Sequence, residues 1–89
     1  MAFYNQVSVG TSATLIIAAN NNRKGIVLVN YGNAVLYIGP DDQITTANAI
    51  PLLPRAFLES TGLAAGWRGS IYGLAESGTI DVRYWEWNQ

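Results

Sequence analysis

Short apolar runs recur along this chain, each broken by Gly, Pro, Asn, Asp or Ser. The spacing is about eight to twelve residues, as in an all-β sandwich or barrel. Phe3–Val9 alternates weakly and stops at Gly10. Ala13–Ala18 is apolar and rich in β-branched residues. Asn20-Asn21-Asn22 tolerate left-handed backbone and mark a turn. Lys24–Asn30 carries the clearest strand signal, and its continuous Ile26-Val27-Leu28-Val29 predicts burial on both faces. Tyr31-Gly32-Asn33 then reverses the chain, and Ala34–Gly39 returns as the second arm of a hairpin.

Pro40 presets φ for a type I turn at Gly39-Pro40-Asp41-Asp42. Gln43–Thr46 reads as a short edge strand. Pro51 and Pro54 bracket Leu52-Leu53 and cannot donate to a ladder, so that segment is an edge or an extended arm. Arg55–Ser60 is a candidate strand and Thr61–Gly66 a loop. Arg68–Ala75 and Thr79–Trp87 read as a closing hairpin around Glu76-Ser77-Gly78. Ala47–Leu53 is too short for a helix and contains Pro51. The fold class is therefore all-β: one small antiparallel β-sandwich or barrel of about 7–8 strands, with no substantial helix. Residues 1–89 form a single β domain, with residues 1–6 a candidate arm.

The last strand is the most regular. Ile80, Val82, Tyr84 and Glu86 share one face, and Asp81, Arg83, Trp85 and Trp87 share the other. The first three make a core stripe. Trp85 and Trp87 then stand side by side on the opposite face, roughly 6–7 Å apart along the strand. Arg83, between Asp81 and Trp85, is placed to pair with the one and stack on the other.

Composition removes most chemistry. The 89 residues include no Cys and no His, so zinc, haem and iron–sulfur sites lose their usual ligands. Asp41-Asp42 lacks the spaced oxygens of a calcium loop. Without His there is no ordinary nucleophile–base pair. The single lysine, Lys24, sits at a strand start. Glu59, Glu76, Asp81 and Glu86 have no spacing that recommends a glycosidase pair. Gly62, Gly66 and Gly69 precede a strand rather than the helix a phosphate loop needs. No enzyme activity and no cofactor are expected.

Charge narrows the partners. Charged residues are 12% of the chain, against about 25% in ordinary soluble domains. So sparse a charge suits a subunit that covers much of its surface against copies or partners. The net charge is −1 and the five basic residues are scattered, which disfavours nucleic acid. The uncharged stretch Met1–Asn22 is cut by polar residues, so no membrane span is expected there, and it lacks the layout of a signal peptide. The interface candidates are Tyr84, Trp85, Trp87, Trp67, Arg83 and Tyr31, of residue types enriched at contact hot spots. Trp67 with Arg68 is a candidate cation–π pair, although Trp67 also suits core packing. A sugar platform built on Trp85 and Trp87 is the alternative use of the rings.

The order of strands and turns also resembles a group of small all-β proteins encoded among the structural genes of tailed bacteriophages. The matching stretches are Asn20–Gly25 leading into Ile26–Asn30, then Val35–Gly39, Ile44-Thr45-Thr46, Ile50-Pro51-Leu52, Ile71-Tyr72-Gly73 and Val82-Arg83-Tyr84. The similarity spans roughly Val7 to Glu86. It implies a virion component made in the bacterial cytoplasm: a head-decoration or cement protein, a head-fibre base, or a neck or tail part. It further implies a symmetric oligomer, most often a trimer, bound to capsid or other virion proteins. No catalytic motif is carried over.

Overall fold

A computed structural model of the chain describes residues 2–59 and 66–88. Eight strands run through it: β1 (Ala2–Val9), β2 (Thr14–Ile17), β3 (Arg23–Asn30), β4 (Leu36–Gly39), β5 (Ile50–Leu52), β6 (Phe57–Glu59), β7 (Ile71–Ala75) and β8 (Ile80–Asn88). They form two four-stranded antiparallel sheets, β1-β8-β3-β6 and β2-β7-β4-β5. No helix occurs among the described residues. The all-β sandwich expected from the turn spacing is the architecture found.

The pairing is nested. β1 pairs with β8, β2 with β7, β3 with β6 and β4 with β5. The chain is thus one long antiparallel hairpin folded over on itself, the strand order of a jelly roll. The β3–β8 and β4–β7 ladders knit the folded halves into sheets. β5 lies at a sheet edge, where Pro51 leaves no ladder donor missing from a central position.

The core lies between the sheets. Val9, Ile26, Leu28, Ile80 and Val82 come from one sheet; Ile16, Ile17, Leu36, Ile38, Ile71 and Ala75 come from the other. Each large aliphatic side chain so buried contributes roughly 1.5–3 kcal/mol of transfer free energy. Tyr84 and Leu58 pack against this cluster from its margin. Two polar features cross the apolar layer. Asn30 is fully buried; its Nδ2 donates to Ala34 O and Leu52 O, and its Oδ1 accepts from Gly32 N. Arg23 and Glu86 form the other.

Several local expectations change. β3 and β4 are in different sheets, so Tyr31–Val35 crosses the sandwich instead of closing a hairpin. The same holds for β7 and β8 around Glu76-Ser77-Gly78. Gln43–Thr46 is turn and coil; Ile44 is buried there, over the bare Cα of Gly39. Residues 2–6 are no arm, because β1 pairs with β8 along its whole length. β3 is buried on one face only: Ile26 and Leu28 are inaccessible, while Val27 and Val29 are partly open. The loop expected at Thr61–Gly66 lies, apart from Gly66, outside the described residues.

Candidate contact surface

The outer face of the β1-β8-β3-β6 sheet is where the chain departs from an ordinary sandwich. Alternation along β8 turns Ile80, Val82, Tyr84 and Glu86 inward and Asp81, Arg83, Trp85 and Trp87 outward, as the sequence implied. Register then decides what stands beside them. Tyr4 lies opposite Trp85, which lies opposite Val27. Two residues along, Gln6, Arg83, Val29 and Phe57 form the next row. Outward positions of an exposed antiparallel sheet are normally polar. Here Tyr4 is 82% exposed, Phe57 60%, Trp85 54% and the neighbouring Tyr31 46%.

These four rings alone present roughly 500 Å² to solvent, taking about 200 Å² for a whole aromatic side chain. That matches the largest apolar patch of a typical monomer, about 300–600 Å². Val27, Val29 and Trp87 extend it. A standard-size protein contact covers about 800 Å² per partner. The face therefore supplies most of such a contact.

The two tryptophans are neighbours but not a flat platform. Their centroids are 5.7 Å apart and their planes are tilted by 58°. Trp87 is the more buried because its indole occupies the space above Gly25, its cross-strand partner. Any side chain at position 25 would displace it. Trp85 stays open beside Tyr4.

A charged corner closes the other end of the face. Arg83 donates to Asp81 through Nη2 at 3.0 Å and through Nε at 3.3 and 3.4 Å. Those hydrogen bonds, and then the Asp81 charge, raise the Arg83 pKa above the usual arginine value. Its guanidinium carbon lies 4.4 Å from the centroid of Tyr31, and that of Arg55 lies 4.3 Å from the same centroid. Arg83 thus keeps the expected Asp81 pair, and the ring it lies over is that of Tyr31 instead of Trp85.

The predicted interface residues consequently divide. Trp85, Trp87, Arg83 and Tyr31 come together on this face. Tyr84 points the opposite way and packs against the core. Trp67 sits elsewhere, with Ile38, Ile50, Leu58 and Ile71 around an apolar cavity of about 250 Å³. Its Nε1 donates to Ser70 O and its carbonyl accepts from Arg23 Nη1. Arg68 donates to Arg23 O in place of the expected contact with Trp67. Tyr4, Gln6, Phe57, Glu59 and Arg55 are among the members of the face that sequence reasoning missed.

Aromatic, aliphatic and arginine side chains dominate the face. It combines Trp, Tyr and Arg, the residue types most enriched in binding hot spots. Among the described residues no group of three or more acidic or other metal-ligating side chains occurs. The most enclosed acid, Glu86, is engaged by Arg23 at 2.6 Å. No family model matches the chain, and no curated protein or solved structure matches it.

Proposed function

We propose that this is a non-enzymatic structural protein of a bacteriophage virion. In this reading it is a homo-oligomer, with a trimer favoured, that attaches to the shell or a neighbouring virion part as a decoration, cement or head-fibre protein. The observation that carries the reading is the aromatic outer face of the β1-β8-β3-β6 sheet, with Tyr4, Trp85 and Phe57 exposed on it. The low charge content supports it from composition, and the jelly-roll strand order is one used by viral capsid domains. Because lectin domains use the same order, the argument rests on the surface and not on the fold. Many weak contacts of this size suffice when copies act together on a repeating lattice.

The test is co-purification with assembled particles of the source phage, followed by the same experiment on Trp85→Ala. Retention of the parent on particles and loss of the variant support the reading. A parent protein that never accompanies particles overturns it.

A carbohydrate-binding role, free or within a host-recognition fibre, is the second reading. The exposure of Trp85 beside Tyr4 favours it, and the 58° tilt between Trp85 and Trp87 counts against a platform made from both. Glycan binding that Trp85→Ala and Trp87→Ala each abolish would move the conclusion to this reading.

A further inference from the structure

We propose that the edge strand β1 docks a second copy of this chain, the two β1 strands pairing antiparallel about a two-fold axis at Asn5. The inference goes beyond the reading above and does not rest on it, because the contact uses the edge of the sheet and not its aromatic face.

The edges of the two sheets are unlike one another. β2 has four residues and a register shift between Leu15 and Ile17. β5 has three residues and contains Pro51; β6 has three and ends on Glu59. Short length, irregularity, Pro and charge are the usual means by which an edge is kept from pairing with another chain. β1 has none of them. It runs for eight residues without Pro or charge, in unbroken register with β8. Phe3, Tyr4, Asn5 and Gln6 are all exposed on it.

Two hydrogen bonds fix which backbone groups of β1 face outward. Tyr31 N, at the end of β3, donates to Asp81 O at 2.9 Å. Backbone groups alternate sides along an antiparallel strand, so Asp81, Arg83 and Trp85 bond toward β3, and Val82, Tyr84 and Glu86 toward β1. Register then assigns the β8 ladder to Phe3, Asn5 and Val7. The N–H and C=O groups of Tyr4, Gln6 and Ser8 point away from the sheet. Gln6 agrees, since its N–H donates to the side-chain Oδ1 of Asn5 at 2.8 Å.

A second β1 matches this edge. With Asn5 on the axis, Tyr4 and Gln6 of one copy exchange backbone hydrogen bonds with Gln6 and Tyr4 of the other. Phe3 then lies opposite Val7, and Asn5 opposite Asn5. Phe3, 40% exposed in the single chain, gains an apolar neighbour across the strands. Moving the axis to Tyr4 or to Gln6 sets Asn5 against Phe3 or Val7 instead. Neither strand carries a charge that would oppose its own copy. Self-complementary two-fold contacts of this kind are the commonest in homo-oligomers. Asn5 must release Gln6 N, and one ladder is small beside a standard contact of about 800 Å² per partner. The pairing therefore forms where copies are concentrated, and in dilute solution it is read by trapping.

The chain has no cysteine, so introduced cysteines report the pairing under mild oxidation with oxidised glutathione. Facing residues of a non-hydrogen-bonded pair have Cα atoms about 4.5 Å apart, within disulfide reach, so Asn5→Cys should give a linked pair of chains about tenfold or more faster than Ser8→Cys. The two copies of position 8 stand roughly 20 Å apart in this register. A mixture of Phe3→Cys and Val7→Cys chains, with Asn5 intact, should form the mixed pair, while neither chain links to itself. Gln6→Pro in the Asn5→Cys chain deletes an outward N–H and leaves the β8 ladder its donors. It should suppress linkage while the chain keeps a cooperative unfolding transition. Linkage at Asn5 no faster than at Ser8, linkage that survives Gln6→Pro, or a Phe3→Cys and Val7→Cys mixture that does not link overturns the proposal. So does exchange protection of the Tyr4 and Ser8 amides that appears only when another protein is added, with no linked pair of purified chains. That result would give the edge to a foreign strand.

Discussion

Arg23 and Glu86 stand 63 residues apart in sequence and form a 2.6 Å ion pair with both side chains almost wholly out of solvent. The other two guanidinium nitrogens also donate: Nη1 to the carbonyls of Trp67 and Gly69, Nη2 to Ala18 O. One side chain thus ties β8, the segment before β7 and the end of β2 to the start of β3. Arg23→Met should cost about 3–5 kcal/mol, since it leaves a buried carboxylate unpaired. The double variant Arg23→Met with Glu86→Leu should recover much of that loss. Urea unfolding of the two singles and the double decides it; purely additive losses would show that the pair is not coupled.

Gly25 is required by what lies above it. A Cβ there enters the Trp87 indole, whereas a Cβ at Gly10 meets no neighbour within 4 Å. Gly25→Ala should therefore destabilise by about 1–3 kcal/mol, the range for overpacking, and shift tryptophan emission. Gly10→Ala should change emission little. Matching spectra for the two variants would contradict the placement of Trp87.

Position 55 separates backbone from side-chain effects. Its φ of 69° is open to Gly but strained for a β-branched residue. Arg55→Val is expected to lose about 1–3 kcal/mol. Arg55→Gly should stay within about 1 kcal/mol of the parent, with relief of strain offsetting the lost ring contact. Thermal unfolding of both gives the comparison, and equal losses would speak against a strained turn.

Trp85 and Asp41 should differ in assembly far more than in stability. Trp85 is on the aromatic face, and Asp41 is an exposed turn residue whose Oδ1 accepts from Gln43 N. Trp85→Ala should weaken self-association about thirtyfold or more, the equivalent of a hot-spot loss of roughly 2 kcal/mol. Asp41→Ala should leave it within about threefold. Sedimentation equilibrium provides both constants, and equal values would remove Trp85 from the contact.

The faces of β8 were legible in the sequence because a strand's alternation is local. Ile80, Val82 and Tyr84 on one side, with Trp85 and Trp87 on the other, need no knowledge of any partner. Strand pairing was not legible in the same way. Tyr31–Val35 and Glu76–Thr79 have the turn residues of hairpins, yet they step between sheets. A short polar reversal looks alike whether it stays in one sheet or crosses a sandwich. Register, which brings Tyr4 beside Trp85 and Phe57 beside Val29, joins residues far apart in sequence and leaves no local trace. Arg23 did leave a trace. Glu86 falls on the inward stripe of β8, and a carboxylate in a core stripe calls for a buried cation. Arg55 left none: nothing around Pro54-Arg55-Ala56 announces a left-handed turn against Tyr31.

The most direct test of the aromatic face as a contact is the mass of the purified protein by size-exclusion chromatography with light scattering, alongside Trp85→Ala. One chain is 9.6 kDa. The expected parent mass is a whole multiple of that value, with three copies favoured, falling toward a single chain in the variant. A parent that remains at 9.6 kDa across concentrations, with a variant indistinguishable from it, would contradict self-association through this face.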